Sequence, residues 1–196
     1  MLAAGPAWGG LVDVLHDVPP AAPATAPAVV GAPAVGDPAS PAVPARAAST
    51  GEPVRVRAAS VGLDAPVVGV GVTDDGLMEV PERVAEVGWY RFGPRPGAPD
   101  GSAVLAGHVD DRVQGEGAFA DLSRMRPGDE VAVDGSAGPV VLRVTEVRTY
   151  TKDTLPLADL FRETGPPRLV LVTCDGPFDT DARSYRDNLV VYAEPV

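Results

Sequence analysis

From residue 53 onward the chain is built of short apolar runs, each interrupted before it could become a long helix. Val54-Arg55-Val56-Arg57-Ala58 alternates apolar and charged residues, the period of a half-buried strand. Residues 65–70 form a second strand that opens beside a proline, 78–81 a short extended piece, and 87–90 a further strand. An apolar run over 102–108 ends on His108, and strands follow over 130–134, over 139–150 with clear alternation, over 169–173 and over 188–193. Helix is expected only as one turn over 82–86 and short pieces over 117–126 and 157–161. Seven or eight strands in about 140 residues, with so little helix, predict a mainly β fold. The natural solution is a closed or nearly closed β-barrel, because closure removes exposed strand edges.

The preceding residues cannot join that core. Residues 19–52 are dominated by Pro and Ala, which favour extended geometry, bury little and act as a semi-rigid spacer. The expected organisation is therefore a Pro/Ala-rich linker or stalk over 1–52, disordered for most of its length, and a folded domain over 53–196. No segment offers the ~18–20 apolar residues that span a bilayer. Residues 1–18 lack the basic and continuous apolar regions of a signal peptide. A net charge of −11 argues against a nucleic-acid partner. One cysteine excludes an internal disulfide and a multi-cysteine zinc site. No HExxH motif or acidic cluster marks a metal site, and no cofactor is expected.

The lone cysteine, Cys174, follows the apolar run 169–173 and precedes Asp175-Gly176-Pro177, a sequence expected to turn the chain and leave the thiol at a strand end. An ordinary thiol is mostly protonated at neutral pH and needs a neighbouring base or cation to act as a nucleophile. His108 is the one histidine of the folded region, and it too ends an apolar run. His16 lies in the Pro/Ala-flanked N-terminal stretch and is set aside. An oxyanion formed at an attacked carbonyl needs a donor or a positive charge. Arg186, just ahead of the last strand, is the expected source, with Arg183 the competing choice.

These pieces together resemble the sortases, the cysteine transpeptidases of Gram-positive bacteria. The resemblance rests on Leu171-Val172-Thr173-Cys174, on Gly107-His108 lying 66 residues before the cysteine, and on Arg186 ahead of Val190-Val191-Tyr192-Ala193. Ala106-Gly107-His108-Val109-Asp110, Thr173-Cys174-Asp175-Gly176-Pro177-Phe178-Asp179 and Tyr185-Arg186-Asp187-Asn188-Leu189-Val190-Val191-Tyr192-Ala193 look most like the class F branch of actinobacteria. Val170 stands where the family signature has Thr, a difference in the strand interior. The resemblance covers about 53–196 and implies a closed eight-stranded barrel. It further implies that Cys174 attacks the Thr–Gly carbonyl of an LPxTG-like sorting signal and that His108 serves as general acid and base. Arg186 would steady the oxyanion and Thr173 would contact substrate. The acyl group would pass to an amine such as that of peptidoglycan. A monomer on the extracellular face of the cytoplasmic membrane is expected, held by an N-terminal anchor not evident in this chain. The rival reading is a surface-tethered β-barrel binding module with an inert thiol.

Overall fold

The computed structural model describes residues 50–74, 76–180 and 184–196. Most of the expected spacer, His16 and Arg183 lie outside the described residues. Ten strands follow in chain order: β1 (Pro53–Ala58), β2 (Leu63–Val70), β3 (Val87–Tyr90), β4 (Ser102–Gly107), β5 (Asp110–Asp111), β6 (Gly115–Glu116), β7 (Glu130–Gly135), β8 (Val140–Thr151), β9 (Arg168–Asp179) and β10 (Ser184–Pro195). Eight of them close a barrel in the order β1-β2-β3-β4-β9-β10-β8-β7, and β5 and β6 form a small separate hairpin. Two neighbouring pairs are parallel, β2 with β3 and β4 with β9; the other barrel pairs run antiparallel. Thr50 is buried, and its amide donates to the Pro96 carbonyl at 3.0 Å.

Alternate residues of all eight strands fill the interior, among them Val56, Leu63, Val87, Leu105, Val131, Leu142, Leu171 and Val191. A second cluster covers one outer face, where Val104, Ala106, Val170, Val172, Val190 and Tyr192 meet Met78, Leu155 and Leu160 from the connections. β4 and the first half of β9 are thus buried on both faces, which is why both read as continuous apolar runs rather than alternating ones. The one α-helix among the described residues, α1 (Leu157–Leu160), serves to place Leu160 in this outer cluster.

Three local expectations need correction. Residues 117–126 do not form a helix; a single 3-10 turn, Leu122–Arg124, forms there, and Phe119, Leu122 and Met125 drop from successive turns into the core. Residues 82–86 make a turn, with the Glu86 amide on the Arg83 carbonyl at 3.0 Å, and no helix. Asp175-Gly176-Pro177 does not end the cysteine strand, because β9 runs on to Asp179. Gly176 takes φ +76°, and the register against β10 shifts between Tyr185 and Asp187, so the sequence makes a bulge inside a long hairpin. Cys174 therefore lies mid-strand, immediately before the bulge, and not at a strand end.

Candidate active site

The parallel pair β4–β9 positions the two candidate reactive groups. Its register ends with Ala106 beside Val172, and the Thr173 hydroxyl then donates to the Gly107 carbonyl at 2.8 Å. One residue further along each chain come His108 and Cys174, both buried, at 2% and 9% exposure. The chain leaving β4 is held by a backbone bond from the Phe119 amide to the His108 carbonyl at 2.8 Å. At Gly117 a Cβ would overlap that same carbonyl, so glycine is required for the approach. The imidazole Nε2 lies 2.6 Å from the Pro81 carbonyl oxygen, 27 residues away in sequence. A carbonyl can only accept, so Nε2 carries the proton and Nδ1 the lone pair of the neutral ring.

Electrostatics hold both groups in their neutral forms. Burial lowers the His108 pKa to about 4, opposed by the bond to Pro81 and by the charge of Asp111. Burial pushes the Cys174 thiol up to about 11, and the negative charges of Asp110 and Asp175 add to the rise. Lys152, the chain's only lysine, acts in the opposite sense; its ammonium donates to the buried Ser184 hydroxyl. At neutral pH the resting pair is thus thiol and imidazole.

Cys174 borders two openings. The larger, about 410 Å³, is walled by Val109, Asp110, Asp111, Arg112, Phe178, Thr180 and Tyr185. Phe178 and Tyr185 meet edge to face at 5.3 Å between ring centres, and the Tyr185 hydroxyl donates to Asp110 Oδ2 at 2.9 Å. Burial and that carboxylate push the Tyr185 phenol up to about 12. The smaller opening, about 190 Å³, lies toward Phe119, Ser123 and Thr173. Such a two-armed groove, apolar on one wall and acidic on the other, suits an extended peptide that passes over the sulfur.

Of the residues expected from the sequence, the structure brings together Cys174, His108 and Thr173. The Thr173 hydroxyl is committed to Gly107, so its visible work is to tie β9 to β4. Arg186 does stand on the strand that pairs beside the cysteine strand. Its side chain, however, is 64% exposed and reaches Asp179 Oδ2 at 3.2 Å. Sequence reasoning missed Tyr185, Asp110, Lys152 and Asn188. Tyr185 and Asn188 flank Arg186 in the same short segment, and a strand register would have shown Asn188 opposite the cysteine. Among the described residues no group of three or more His, Cys, Asp or Glu side chains could hold a metal ion.

The closed barrel sets Cys174 on β9 beside a peptide-sized groove and His108 just past the end of the parallel neighbour β4, an arrangement that makes the pair a candidate site for thiol chemistry. The sortase domain model matches residues 56–196, well over half of the chain, and the protein belongs to the sortase family of cysteine transpeptidases. No curated protein matches the chain. Among solved structures it is similar to sortase A of Listeria monocytogenes, at 21% identity and a TM-score of 0.54 over 73% of this chain and 86% of that one. It is also similar to sortase C-1 of Actinomyces oris, at 19% identity and a TM-score of 0.57 over 74% and 75% of the two chains. A third is the Clostridium perfringens sortase D5 transpeptidase, at 17% identity and a TM-score of 0.54 over 74% and 78%. At these identities the likeness establishes the shared fold.

Proposed function

We propose that this sortase cleaves an LPxTG-like sorting signal between Thr and Gly and transfers the acyl group to an amine acceptor such as peptidoglycan. The carrying observation is the placement of His108 and Cys174 one residue beyond the Thr173–Gly107 bond, beside a groove wide enough for a peptide. Cys174 Sγ attacks the threonine carbonyl while its proton passes to His108 Nδ1. The imidazolium then protonates the departing glycine amine, leaving a thioacyl-enzyme. The acceptor amine loses a proton to Nδ1 as it attacks the thioester, and the thiol is restored. Arg186 exchanges Asp179 for the substrate carbonyl when the peptide is seated, and so steadies the oxyanion. Thr173 meets substrate along the smaller opening while its hydroxyl stays on Gly107.

We place the chain among the actinobacterial class F sortases on the Thr173–Asp179 and Tyr185–Ala193 phrases. On the same reading it works as a monomer at the outer face of the cytoplasmic membrane, with residues 1–52 as the spacer. Mass spectrometry of the protein incubated with an LPxTG-type peptide, with and without an added amine and alongside Cys174→Ala, tests the reaction. The expected result is an acyl adduct on Cys174 that moves to the amine and is absent from the variant. No adduct with any member of a broad peptide library, together with an unreactive thiol, would favour the binding module.

A further inference from the structure

On the outer face of the barrel, β8, β10, β9 and β4 lie side by side, and Tyr150, Asn188 and Cys174 are successive register partners across the first three. Asn188 shares its face with Val190 and Tyr192, as Cys174 does with Val170 and Val172. Asn188 is fully buried, at 0% exposure, and neither its Oδ1 nor its Nδ2 has a hydrogen-bond partner. A buried, unbonded carboxamide destabilises a fold, and an apolar side chain of the same size would remove that penalty. Its presence calls for a use outside the resting structure.

The neighbours narrow that use. On one side, the Tyr150 hydroxyl is engaged with the Tyr192 hydroxyl at 3.3 Å. On the other side stands the cysteine. Directly opposed side chains of an antiparallel pair hold their Cβ atoms about 4.5–5.5 Å apart, so rotation of the Asn188 side chain alone can carry its NH₂ group to the sulfur. A neutral thiol is a weak acceptor and a thiolate a strong one, so a donor without a resting partner becomes useful only once the thiol ionises. The charges around the sulfur leave that need open. Asp110 from the segment after β4 and Asp175 on β9 oppose ionisation, and among the described residues only Lys152 beyond β8 favours it.

We propose that Asn188 donates a side-chain N–H to Cys174 Sγ when the thiol proton moves to His108 Nδ1. The proposal rests on the transpeptidase reading above, and supplies it with a stabiliser for the charged sulfur. No bond other than S–H is broken. The proton goes to the imidazole, and the N–H···S contact lasts until sulfur becomes acylated.

The rate of Cys174 alkylation by iodoacetamide against pH, measured on the full chain carrying Asn188→Leu or Asn188→Ser, tests this. Asn188→Leu is expected to raise the midpoint by about one pH unit or more, a roughly tenfold loss of alkylation rate at pH 7, with the melting temperature unchanged or higher. Asn188→Ser keeps a donor and is expected to shift the midpoint less. A wild-type midpoint in a more stable Leu variant would overturn the proposal, since a merely structural amide gives that result. In unmutated protein the ¹⁵N-labelled Asn188 side-chain amide resonances are expected to move in step with thiol ionisation; resonances indifferent to it would overturn the proposal even if a variant failed to fold. Loss of the peptide adduct with the midpoint shift intact would count against the transpeptidase reading instead.

Discussion

The Nε2 atom of His108 lies 2.6 Å from the carbonyl oxygen of Pro81, and this contact decides which ring nitrogen carries the lone pair. The ring is buried and stays neutral down to about pH 4. In the unfolded chain a histidine takes its proton near pH 6.5. The unfolded state therefore binds more protons between those values. The stability His108 contributes is complete above about pH 6.5 and is lost as pH falls toward 4. Asp111 and Asp64, held below the usual carboxylate range, lose theirs only at lower pH. The melting temperature is expected to fall by several degrees between pH 6.5 and 4.5, and His108→Gln to flatten that slope. Calorimetry across this window decides; parallel slopes would place the histidine in a wetter site than described.

The thiol is set by the same burial. Alkylation of Cys174 in the absence of peptide is expected to climb through the alkaline range, with a midpoint above the ~8.5 of an ordinary cysteine. A midpoint near 6 would mean that a thiolate–imidazolium pair already exists at rest.

Thr173→Val keeps shape and removes the donor to the Gly107 carbonyl. The expected cost is about 1–3 kcal/mol, read by urea denaturation. Thioacylation should slow as well, because that bond joins the two strands just before the cysteine and histidine emerge.

Gly117→Ala would push a methyl group into the His108 carbonyl. A loss of about 1–3 kcal/mol is expected from the overlap. Thioacylation should slow by about tenfold or more as the imidazole is displaced. Full activity in the variant would show that the loop yields without moving the ring.

Arg186→Ala removes an exposed ion pair with Asp179, so stability should change by less than about 0.5 kcal/mol. If the guanidinium turns to the substrate carbonyl, kcat/KM for the peptide should still fall by about 10²-fold or more. Equal kcat/KM in variant and wild type would leave Arg186 as a surface charge.

What the sequence disclosed was whatever is local. β3 falls where Val87-Gly88-Trp89-Tyr90 places it, and the barrel follows from many short strands with few helices to cover them. The cysteine and histidine were legible as the single members of their kind in the folded region. Non-local geometry was not. Nothing near Asp175-Gly176-Pro177 says that a partner strand will absorb Gly176 into a bulge instead of letting it end the strand. Phe119, Leu122 and Met125 have helix-like spacing, but their burial is achieved by turns that tertiary contacts impose. The bond from Pro81 to His108 spans 27 residues, and the pairing of Asn188 with Cys174 depends on hairpin register. Neither leaves a periodic trace in the chain.

β4 and β9 run parallel although 66 residues separate Ala106 from Val172. A parallel pair cannot close through a tight hairpin, and an encounter between such distant segments carries a loop-closure cost that nearby pairs avoid. The hairpins β1–β2, β7–β8 and β9–β10 can each nucleate locally, while the junction that unites histidine and cysteine must await the intervening chain. In refolding, recovery of thioacylation should therefore mark the last assembly step, with strand signal returning earlier. On the proposed reading, a partly folded chain would hold Cys174 apart from His108 and would form no thioacyl-enzyme until the barrel closes.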